Sequence, residues 1–207
     1  MYLVDIGNRY AHLFDGKDIL NLEYKELFKK YKNSKIYYIN VNLDIKDKLK
    51  QNSNWVNLES FVKLDGSYNG MGIDRQVLLL SRDDGIYIDA GSAITIDLKI
   101  NSKFIGGTIL PGIWRVKECY KDISSLLKID KIENININEL PNYTTNQSIS
   151  YGMIAPIIAL IEKINNKNLP IYCTGGDGEL LSNYLNGNFD KFLIFEGMQK
   201  VIKENRC

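Results

Sequence analysis

The chain has 207 residues, of which 44% are hydrophobic and 25% are charged. This length and apolar content allow a sizeable core, in one two-lobed unit or in two small domains. The formal net charge of +1 excludes the global positive field that attracts nucleic acid or an acidic membrane surface.

No apolar run approaches the roughly 20 residues that span a bilayer. The N-terminus enters a strand without a basic region or an apolar leader, so we expect no signal peptide. The three cysteines, Cys119, Cys173 and Cys207, are widely spaced, which indicates reduced thiols and not a disulfide framework or a zinc site. Cys173 is expected in the core and Cys207 at a frayed end. We therefore expect a cytoplasmic protein with no nucleic-acid or membrane partner.

The first half of the chain alternates short apolar strands with amphipathic helices. A loop of small and polar residues, 65–72, precedes the last helix of this half. The predicted elements are a hairpin of strands 2–6 and 10–14, a helix at 22–32, a strand at 36–41, a short helix at 44–51 and a helix at 74–82.

The second half repeats this plan, and a Pro-Gly pair marks the start of its first helix. Sheets flanked by helices in two similar halves indicate a mixed α/β protein. We place the two domains at residues 1–83 and 84–207. The predicted elements of this half are strands 86–89, 93–98, 103–110 and 170–173, helices 113–127 and 146–165, an irregular segment at 129–143, and a strand at 191–195 between two further helices.

Two apolar strands, one in each half, end in the same way. The first ends in Asp5-Ile6-Gly7-Asn8 and the second in Asp89-Ala90-Gly91-Ser92, and each is followed by another strand. The glycine lets backbone N–H groups approach an anion, and the adjacent carboxylate can hold a metal ion or its water shell. Either copy alone could be an ordinary hairpin with a polar turn. Their shared register is a modest signal of internal duplication and favours a site for nucleotide phosphates.

A second group of polar residues, Gly72-Ile73-Asp74-Arg75, stands where the loop enters the helix of the first half. One interpretation is a helix N-cap with a surface ion pair. The other is that Asp74 faces a substrate hydroxyl while Arg75 faces an anionic group. The four residues alone leave both interpretations open.

Taken together, these segments resemble the type III pantothenate kinases of bacteria, and the resemblance runs nearly from end to end. Asp5–Asn8 and Asp89–Asp97 resemble the two phosphate motifs of the family, and Gly72–Arg75 resembles its Gly-x-Asp-Arg signature. Gly106–Gly112 resembles its Gly-Gly-x-Ile-x-Pro-Gly segment, and Thr174–Asp177 resembles its late glycine turn near the adenosine.

The resemblance implies the fold of actin-like ATPases and sugar kinases. That fold has two similar lobes of ribonuclease H-like type, each a mixed sheet flanked by helices, with ATP in the cleft between them. The implied activity is ATP-dependent phosphorylation of pantothenate to 4′-phosphopantothenate, the first step of coenzyme A biosynthesis. The implied cofactors are Mg²⁺ with the ATP and a monovalent cation, K⁺ or NH₄⁺. A homodimer with shared active sites is also implied.

The site residues follow from the same resemblance, position by position. Asp74 is the implied catalytic base, and Asp89 the implied ligand of the monovalent cation. The implied pantothenate contacts are Tyr68, Gly72, Ile73, Asp74, Arg75 and, across the dimer interface, Thr145. The implied ATP contacts are Asp5, Ile6, Gly7, Asn8, Arg9, Tyr10, Ala11, His12 and Ser92.

Three positions have a second interpretation or depart from the pattern of the family. Thr145 could also be the N-cap of a helix that begins at Asn146. Arg9 stands where the family usually has Thr or Ser, so one expected hydroxyl contact to phosphate is missing. The loop before Gly72 lacks the usual proline, and the chain is shorter than most relatives.

Two alternatives to a pantothenate kinase remain. Another enzyme on this fold, such as a sugar kinase, an acetate kinase or a polyphosphate phosphatase, would also need paired phosphate turns, but the Gly-x-Asp-Arg segment fits such enzymes poorly. The second is a non-catalytic accessory protein in gene regulation. The presence of Asp5 and Asp74, and the balanced charge, argue against that function.

Overall fold

The structure is a computed structural model of the chain, and it describes residues 1–205. The chain divides into two compact units. The first unit contains Met1–Asp83, Asn101–Phe104 and the segment from Phe192 onward, and the second contains Asp84–Ile100 and Ile105–Lys191. The expectation for Cys207 lies outside the described residues.

Ten strands and seven α-helices make up the described part of the chain. The strands are β1 Tyr2–Ile6, β2 Ala11–Phe14, β3 Ile19–Leu22, β4 Ile36–Asn40, β5 Trp55–Asn57, β6 Gly85–Ala90, β7 Ala93–Ile100, β8 Lys103–Pro111, β9 Ile171–Thr174 and β10 Asn188–Phe189. The helices are α1 Tyr24–Lys30, α2 Lys46–Lys50, α3 Ile73–Leu80, α4 Ile113–Ile123, α5 Thr145–Ile164, α6 Gly178–Leu185 and α7 Leu193–Asn205.

The first unit is built on a five-stranded sheet of order β3-β2-β1-β4-β5. β1 is antiparallel to β2 and parallel to β4, so the sheet is mixed. Consecutive residues of β1, such as Leu3 and Val4, are both buried, which shows that helices or loops cover both faces of the sheet. One of the resulting cores joins Val4, Ile6, Ala11, Leu13, Leu22, Leu27, Ile36, Tyr38, Leu49 and Trp55.

The second unit has a five-stranded sheet of order β10-β9-β6-β7-β8. Its central strand β6 is antiparallel to β7 and parallel to β9, as β1 is to β2 and β4. When the strands are numbered within each unit and the second sheet is read from β8, both sheets have the order 3-2-1-4-5. The two Asp-x-Gly turns therefore lie at equivalent places in two similar sheets. The prediction of two mixed sheets flanked by helices is confirmed.

Helix α5 supplies much of the core of the second unit. Its side chains Met153, Ile154, Ile157, Ile158 and Ile161 pack among those of β6, β7 and β9. The helix is apolar, yet no helix among residues 1–205 combines the length and hydropathy needed to cross a membrane.

The end of the chain differs from the predicted strand at 191–195. Leu193, Ile194 and Phe195 form an apolar run typical of a buried strand, but they open α7, and Met198 and Val201 continue the buried face at helical spacing. The predicted second domain, 84–207, contained this segment, whereas α7 packs against α3 and β1 in the first unit. Three short strands, β3, β5 and β10, were not predicted.

Candidate active site

The first Asp-x-Gly turn forms the tip of the β1–β2 hairpin. Ile6 pairs with Ala11 at the strand ends, and the Gly7 N–H donates to the Tyr10 carbonyl at 3.1 Å. Ile6 and Ala11 are fully buried, so they can offer only backbone groups to a ligand. Asn8 and Arg9 are exposed at the tip.

Two residues that the sequence did not single out hold this turn in place. The Tyr24 hydroxyl donates to the Gly7 carbonyl at 2.6 Å. The Asn42 amide donates to the Tyr24 hydroxyl at 3.0 Å and to the Asn8 carbonyl at 3.5 Å. Nothing in their local sequence distinguishes them, because Tyr24 fits the apolar spacing of a helix and Asn42 simply follows a strand.

This network also determines where the turn's N–H groups point. The described peptide bonds are all trans, and in a trans peptide the C=O and the next N–H point in opposite directions. The carbonyls of Gly7 and Asn8 point inward to Tyr24 and Asn42, so the N–H groups of Asn8 and Arg9 point away from them. Successive N–H groups presented in this way are suited to an anion such as phosphate.

His12 lies opposite Asp5 in the hairpin, and a ring nitrogen lies 2.6 Å from the Asn21 carboxamide oxygen. This bond spans the β2–β3 pair, because His12 and Asn21 are register partners. The contact gives His12 a role in the sheet and no visible part in proton transfer.

The second Asp-x-Gly turn lies at the tip of the β6–β7 hairpin and is one residue shorter. Here the Gly91 N–H donates to the Ala93 carbonyl at 3.0 Å. The Gly112 N–H, just beyond β8, donates to the Ser92 carbonyl at 3.2 Å, and a β-carbon at Gly112 would collide with the Gly91 carbonyl oxygen. The Pro-Gly segment thus supports this turn by close backbone packing, and the exposed Ser92 stands at its tip.

The late glycine turn lies directly against Asp89. Asp89 pairs with Thr174 across β6 and β9, and Gly175 follows with φ of +86°. A β-carbon there would lie 2.6 Å from both Asp89 Oδ1 and the Ala90 carbonyl oxygen, so only glycine fits. Among residues 1–205 no group of three or more His, Cys, Asp or Glu side chains could hold a metal ion. A cation beside Asp89 would therefore need backbone or ligand oxygens as further donors.

Asp177 closes the same turn. Its N–H donates to the Ala90 carbonyl at 2.9 Å, which ties the glycine turn to the end of β6. Burial raises the pKa of the Asp177 carboxyl above its ordinary value, because the surroundings disfavour the charged form. Nearby in β9, burial likewise raises the pKa of Cys173 to about 12, so this thiol is an unreactive core residue.

The Gly-x-Asp-Arg segment forms the start of α3. Gly72 is the N-cap residue without a side-chain bond, and Asp74 lies inside the first turn, where its Oδ1 accepts the Arg75 N–H at 2.8 Å. A β-carbon at Gly72 would lie 2.5 Å from that carboxylate oxygen. The interpretation as an N-cap with a surface ion pair is wrong, because Asp74 does not cap the helix and Arg75 is only 5% exposed.

Arg75 is held by two aromatic residues. Its Nη1 donates to the Tyr68 hydroxyl at 2.9 Å, and its guanidinium carbon lies 5.9 Å from the centre of the Phe104 ring. Tyr68 is 52% exposed, so the tyrosine borders solvent while the arginine behind it is buried. The structure thus brings Tyr68, Asp74 and Arg75 together, and it adds Phe104, which no sequence pattern indicated.

Thr145 is the first residue of α5 and is exposed. The N-cap is Thr144, whose Oγ1 accepts the Gln147 N–H at 3.1 Å. The alternative role of Thr145 as a helix cap is therefore wrong, because the helix begins one residue earlier than predicted. Its contact with substrate across a dimer interface stays a prediction.

Comparison with known proteins identifies the family. Residues 23–167 match the family model described as type III pantothenate kinase. A type III pantothenate kinase from Campylobacter jejuni subsp. jejuni serotype O:2 is 42% identical over 206 residues, which is 99% of this chain and 98% of the relative.

Solved structures agree in fold. A crystal structure from Campylobacter jejuni, described as a conserved Baf family transcriptional activator, shares 42% identity and a TM-score of 0.86 over 100% of this chain and 99% of the other. MreB 5 of Spiroplasma citri, at 10% identity and a TM-score of 0.52, covers 99% of this chain and 97% of its own. The latter likeness concerns the actin-like fold alone. On the family model and the relative of matching length, the chain belongs to the type III pantothenate kinase family.

Proposed function

We propose that this protein phosphorylates pantothenate with ATP to give 4′-phosphopantothenate, the first step of coenzyme A biosynthesis. The observation that carries the proposal is the pairing of Asp74 with the buried Arg75 at the start of α3. Pantothenate has a primary hydroxyl for the carboxylate and a carboxylate for the guanidinium. Family membership supports the same substrate.

In this mechanism Asp74 accepts the proton of the substrate hydroxyl. The hydroxyl oxygen forms a bond to the γ-phosphorus as the bond from that phosphorus to the bridging oxygen breaks and ADP leaves. The hydrogen bond from the backbone N–H of Arg75 orients the Asp74 carboxylate for this role. Most of the acceleration comes from positioning and from neutralising charge on the phosphates.

Arg75 is suited to hold the substrate carboxylate. A guanidinium stays charged at any physiological pH and binds a carboxylate through two parallel hydrogen bonds. Because Arg75 is buried, its attraction to an anion is screened less than that of a surface lysine. Tyr68 borders the same group and completes the proposed pantothenate contact together with Gly72 and Ile73.

Both Asp-x-Gly turns are proposed to bind ATP phosphates. The N–H groups of Asn8 and Arg9 point away from the network that holds the first turn, and Ser92 adds a hydroxyl at the second. The Asp5 carboxylate is the proposed partner of Mg²⁺ or its water shell. Bound Mg²⁺ would neutralise charge on the β- and γ-phosphates.

Asp89 is the proposed ligand of a monovalent cation. Its carboxylate and the Ala90 carbonyl both crowd the position of Gly175, so oxygen atoms gather at this point. Oxygen donors suit K⁺, and they also accept hydrogen bonds from NH₄⁺. We further propose a cytoplasmic homodimer in which the partner's Thr145 completes the pantothenate pocket.

The test is a panel assay of the purified protein with ATP and Mg²⁺. Phosphoryl transfer is measured to pantothenate, N-acetylglucosamine and acetate, each in potassium, ammonium or sodium buffer, and polyphosphate hydrolysis is measured alongside. We expect transfer to pantothenate that depends on potassium or ammonium. Transfer to another acceptor instead would refute the assigned substrate, and equal rates in sodium would refute the cation.

Asp74→Asn tests the base. We expect turnover to fall about 10²–10⁴-fold, with pantothenate binding retained, as measured by steady-state kinetics and calorimetry. The matched control is Asp47→Asn, which changes an exposed acid in the first turn of α2 and should leave turnover unchanged. Near-normal turnover of Asp74→Asn would end the assignment.

A second candidate is a regulatory protein, since a structure 42% identical to this chain is described as a transcriptional activator. The net charge of +1 gives this chain little general attraction for DNA. Fluorescence anisotropy with a labelled duplex at low salt distinguishes the two functions. Tight DNA binding without kinase activity would favour the regulatory one.

A further inference from the structure

The segment between β7 and β8 belongs to the first unit and lies against the substrate loop, residues 65–72. Its turn consists of Asn101 and Ser102, with φ values of 53° and 61°. Two successive left-handed residues are the geometry of the tight type I′ hairpin. This turn sets the position of Phe104, two residues further on.

The contact between Phe104 and the substrate loop is made by backbone atoms. The Phe104 N–H donates to the Asp65 carbonyl at 2.8 Å. A β-carbon at Gly66, where φ is +82°, would collide with the Phe104 carbonyl oxygen. The loop can approach so closely only because residue 66 is glycine.

The Phe104 side chain continues this contact to the substrate-binding groups. The residue is only 9% exposed. The ring centre lies 6.1 Å from that of Tyr68, at an interplanar angle of 50°, and 5.9 Å from the Arg75 guanidinium carbon. Since Arg75 also donates to the Tyr68 hydroxyl, each of the three side chains lies beside the other two.

A ring face is a useful neighbour for a buried guanidinium. It attracts the cation through its quadrupole and does not occupy an N–H donor. A carboxylate neighbour would instead compete with an anionic substrate for the same donors. An aliphatic residue would fill the space but would neither attract the cation nor favour one orientation of its plane.

We propose that Phe104 is a positioning residue, which holds the Arg75 guanidinium in the orientation that binds the carboxylate of the substrate. The inference rests on the proposed role of Arg75. In this role Phe104 acts through Arg75 and not on a reacting atom, so its effect should fall on substrate affinity and not on the phosphoryl-transfer step.

The experiment compares Phe104→Leu and Phe104→Tyr in the full-length enzyme. We expect Phe104→Leu to raise KM for pantothenate about 3- to 30-fold, as loss of a desolvated cation–π contact allows, with kcat and KM for ATP within about twofold of wild type. Phe104→Tyr keeps the ring and should retain most of the affinity. Phe28→Leu is the matched control, because Phe28 also carries a cation, Lys48, over its ring at 4.4 Å, and it should leave KM unchanged.

A double-mutant cycle with Arg75→Lys tests whether Phe104 acts through Arg75. If it does, Phe104→Leu adds little to the KM defect of Arg75→Lys. Three results would overturn the inference while leaving the proposed function intact. They are additive KM defects in the double mutant, an unchanged KM in Phe104→Leu, and an equal rise in KM in Phe104→Leu and Phe104→Tyr. An unchanged KM in Arg75→Lys itself would instead refute the proposed carboxylate contact.

Discussion

At the scale of single residues, the polar groups around the first turn fix the orientation of its backbone. Asn42 is buried, and the Asn40 side chain further holds its main chain. The Asn42 N–H donates to the Asn40 carboxamide oxygen at 3.1 Å, and the Asn40 carboxamide donates to the Asn42 carbonyl at 2.9 Å. Tyr24 and Asn42 together fix the orientation of two peptide planes in the turn. A hairpin that binds no ligand would not need these planes fixed. If the first turn binds ATP phosphates as proposed, we expect both residues to support that binding.

Tyr24→Phe should therefore weaken ATP binding. Removing the hydroxyl leaves the Gly7 carbonyl without its 2.6 Å bond, so the turn loses its fixed orientation. We expect KM for ATP to rise several-fold while KM for pantothenate stays close to wild type, with a loss in unfolding free energy of about 1 kcal/mol.

Tyr151→Phe is the control for this measurement. The Tyr151 hydroxyl also donates to a backbone carbonyl, that of Ile137, at 3.3 Å, but it belongs to α5. Equal shifts in KM for ATP from both variants would show that any lost tyrosine hydroxyl has this effect, and would contradict the specific role of Tyr24.

The raised pKa of Asp177 predicts an unusual pH dependence of stability. Because burial disfavours the carboxylate, the folded state binds its proton more tightly than the unfolded state does. The stability contribution of this group is therefore greatest at acid pH and falls as pH rises through the folded pKa. We expect Asp177→Asn to raise the melting temperature at pH 7 and to have little effect at about pH 3, below the ordinary range of aspartate.

Asp15 provides a comparison of opposite sign. The Asp18 and Lys17 N–H groups donate to its carboxylate, each at 2.8 Å, and lower its pKa. Its contribution is present at neutral pH and is lost as pH falls through the folded pKa. Asp15→Asn should thus lower the melting temperature at pH 7. A rise in melting temperature, like the one expected for Asp177→Asn, would show that the two carboxyl groups do not differ as described.

At the scale of elements, the placement of α7 depends on one close approach. A β-carbon at Gly197 would collide with the carbonyl oxygen of Val77 in α3. The two helices also face each other through Arg82 and Glu196, which form an ion pair at 2.8 Å near the surface. A partly exposed pair of this kind adds little stability, so the close backbone packing and the apolar face determine where α7 lies.

Gly197→Ala separates packing from helix propensity. Alanine favours an isolated helix over glycine by about 1 kcal/mol, yet here the added carbon must push α7 away from α3. We expect a net loss of about 1–3 kcal/mol in unfolding free energy, measured by denaturant titration. Lys200→Ala, at an exposed position of α7, should be nearly neutral, and a stabilised Gly197→Ala protein would contradict the close packing.

At the scale of the whole molecule, α5 has one surface that the core of its unit does not use. Its buried side chains lie on one side, while Pro156 and Ala159 are exposed along the other. Small residues on an exposed helix face allow a second backbone to approach closely. This arrangement supports the proposed homodimer, and C₂ symmetry would then create two equivalent sites.

Subunit mixing tests the shared pocket. Chains with Asp74→Asn and chains with Thr145→Arg should each be weakly active, and co-folding them should restore activity, since one site of each hybrid has both residues intact. Asn146→Arg, one position further along the same exposed turn, should be active alone. No recovery in a verified hybrid, or an active monomer by light scattering, would refute the shared site.

Local patterns in the sequence determined most of the elements and the segments proposed to face the ligands. The two Asp-x-Gly turns, the Gly72–Arg75 segment and the apolar α5 could all be predicted, because turn chemistry and hydrophobic periodicity act over a few neighbouring residues. The family followed from the order of these segments.

Only the tertiary structure decided how those segments are supported. Arg75 lies beside the ring of Phe104, which is 29 positions away in the chain. The first turn is held by Tyr24 in α1 and by Asn42, which follows β4. The apolar run at 193–195 is helical because the buried residues of α7, which recur at helical spacing, pack against α3 and β1. Such contacts join residues distant in sequence, and a local pattern has no information about a partner that folding brings to it.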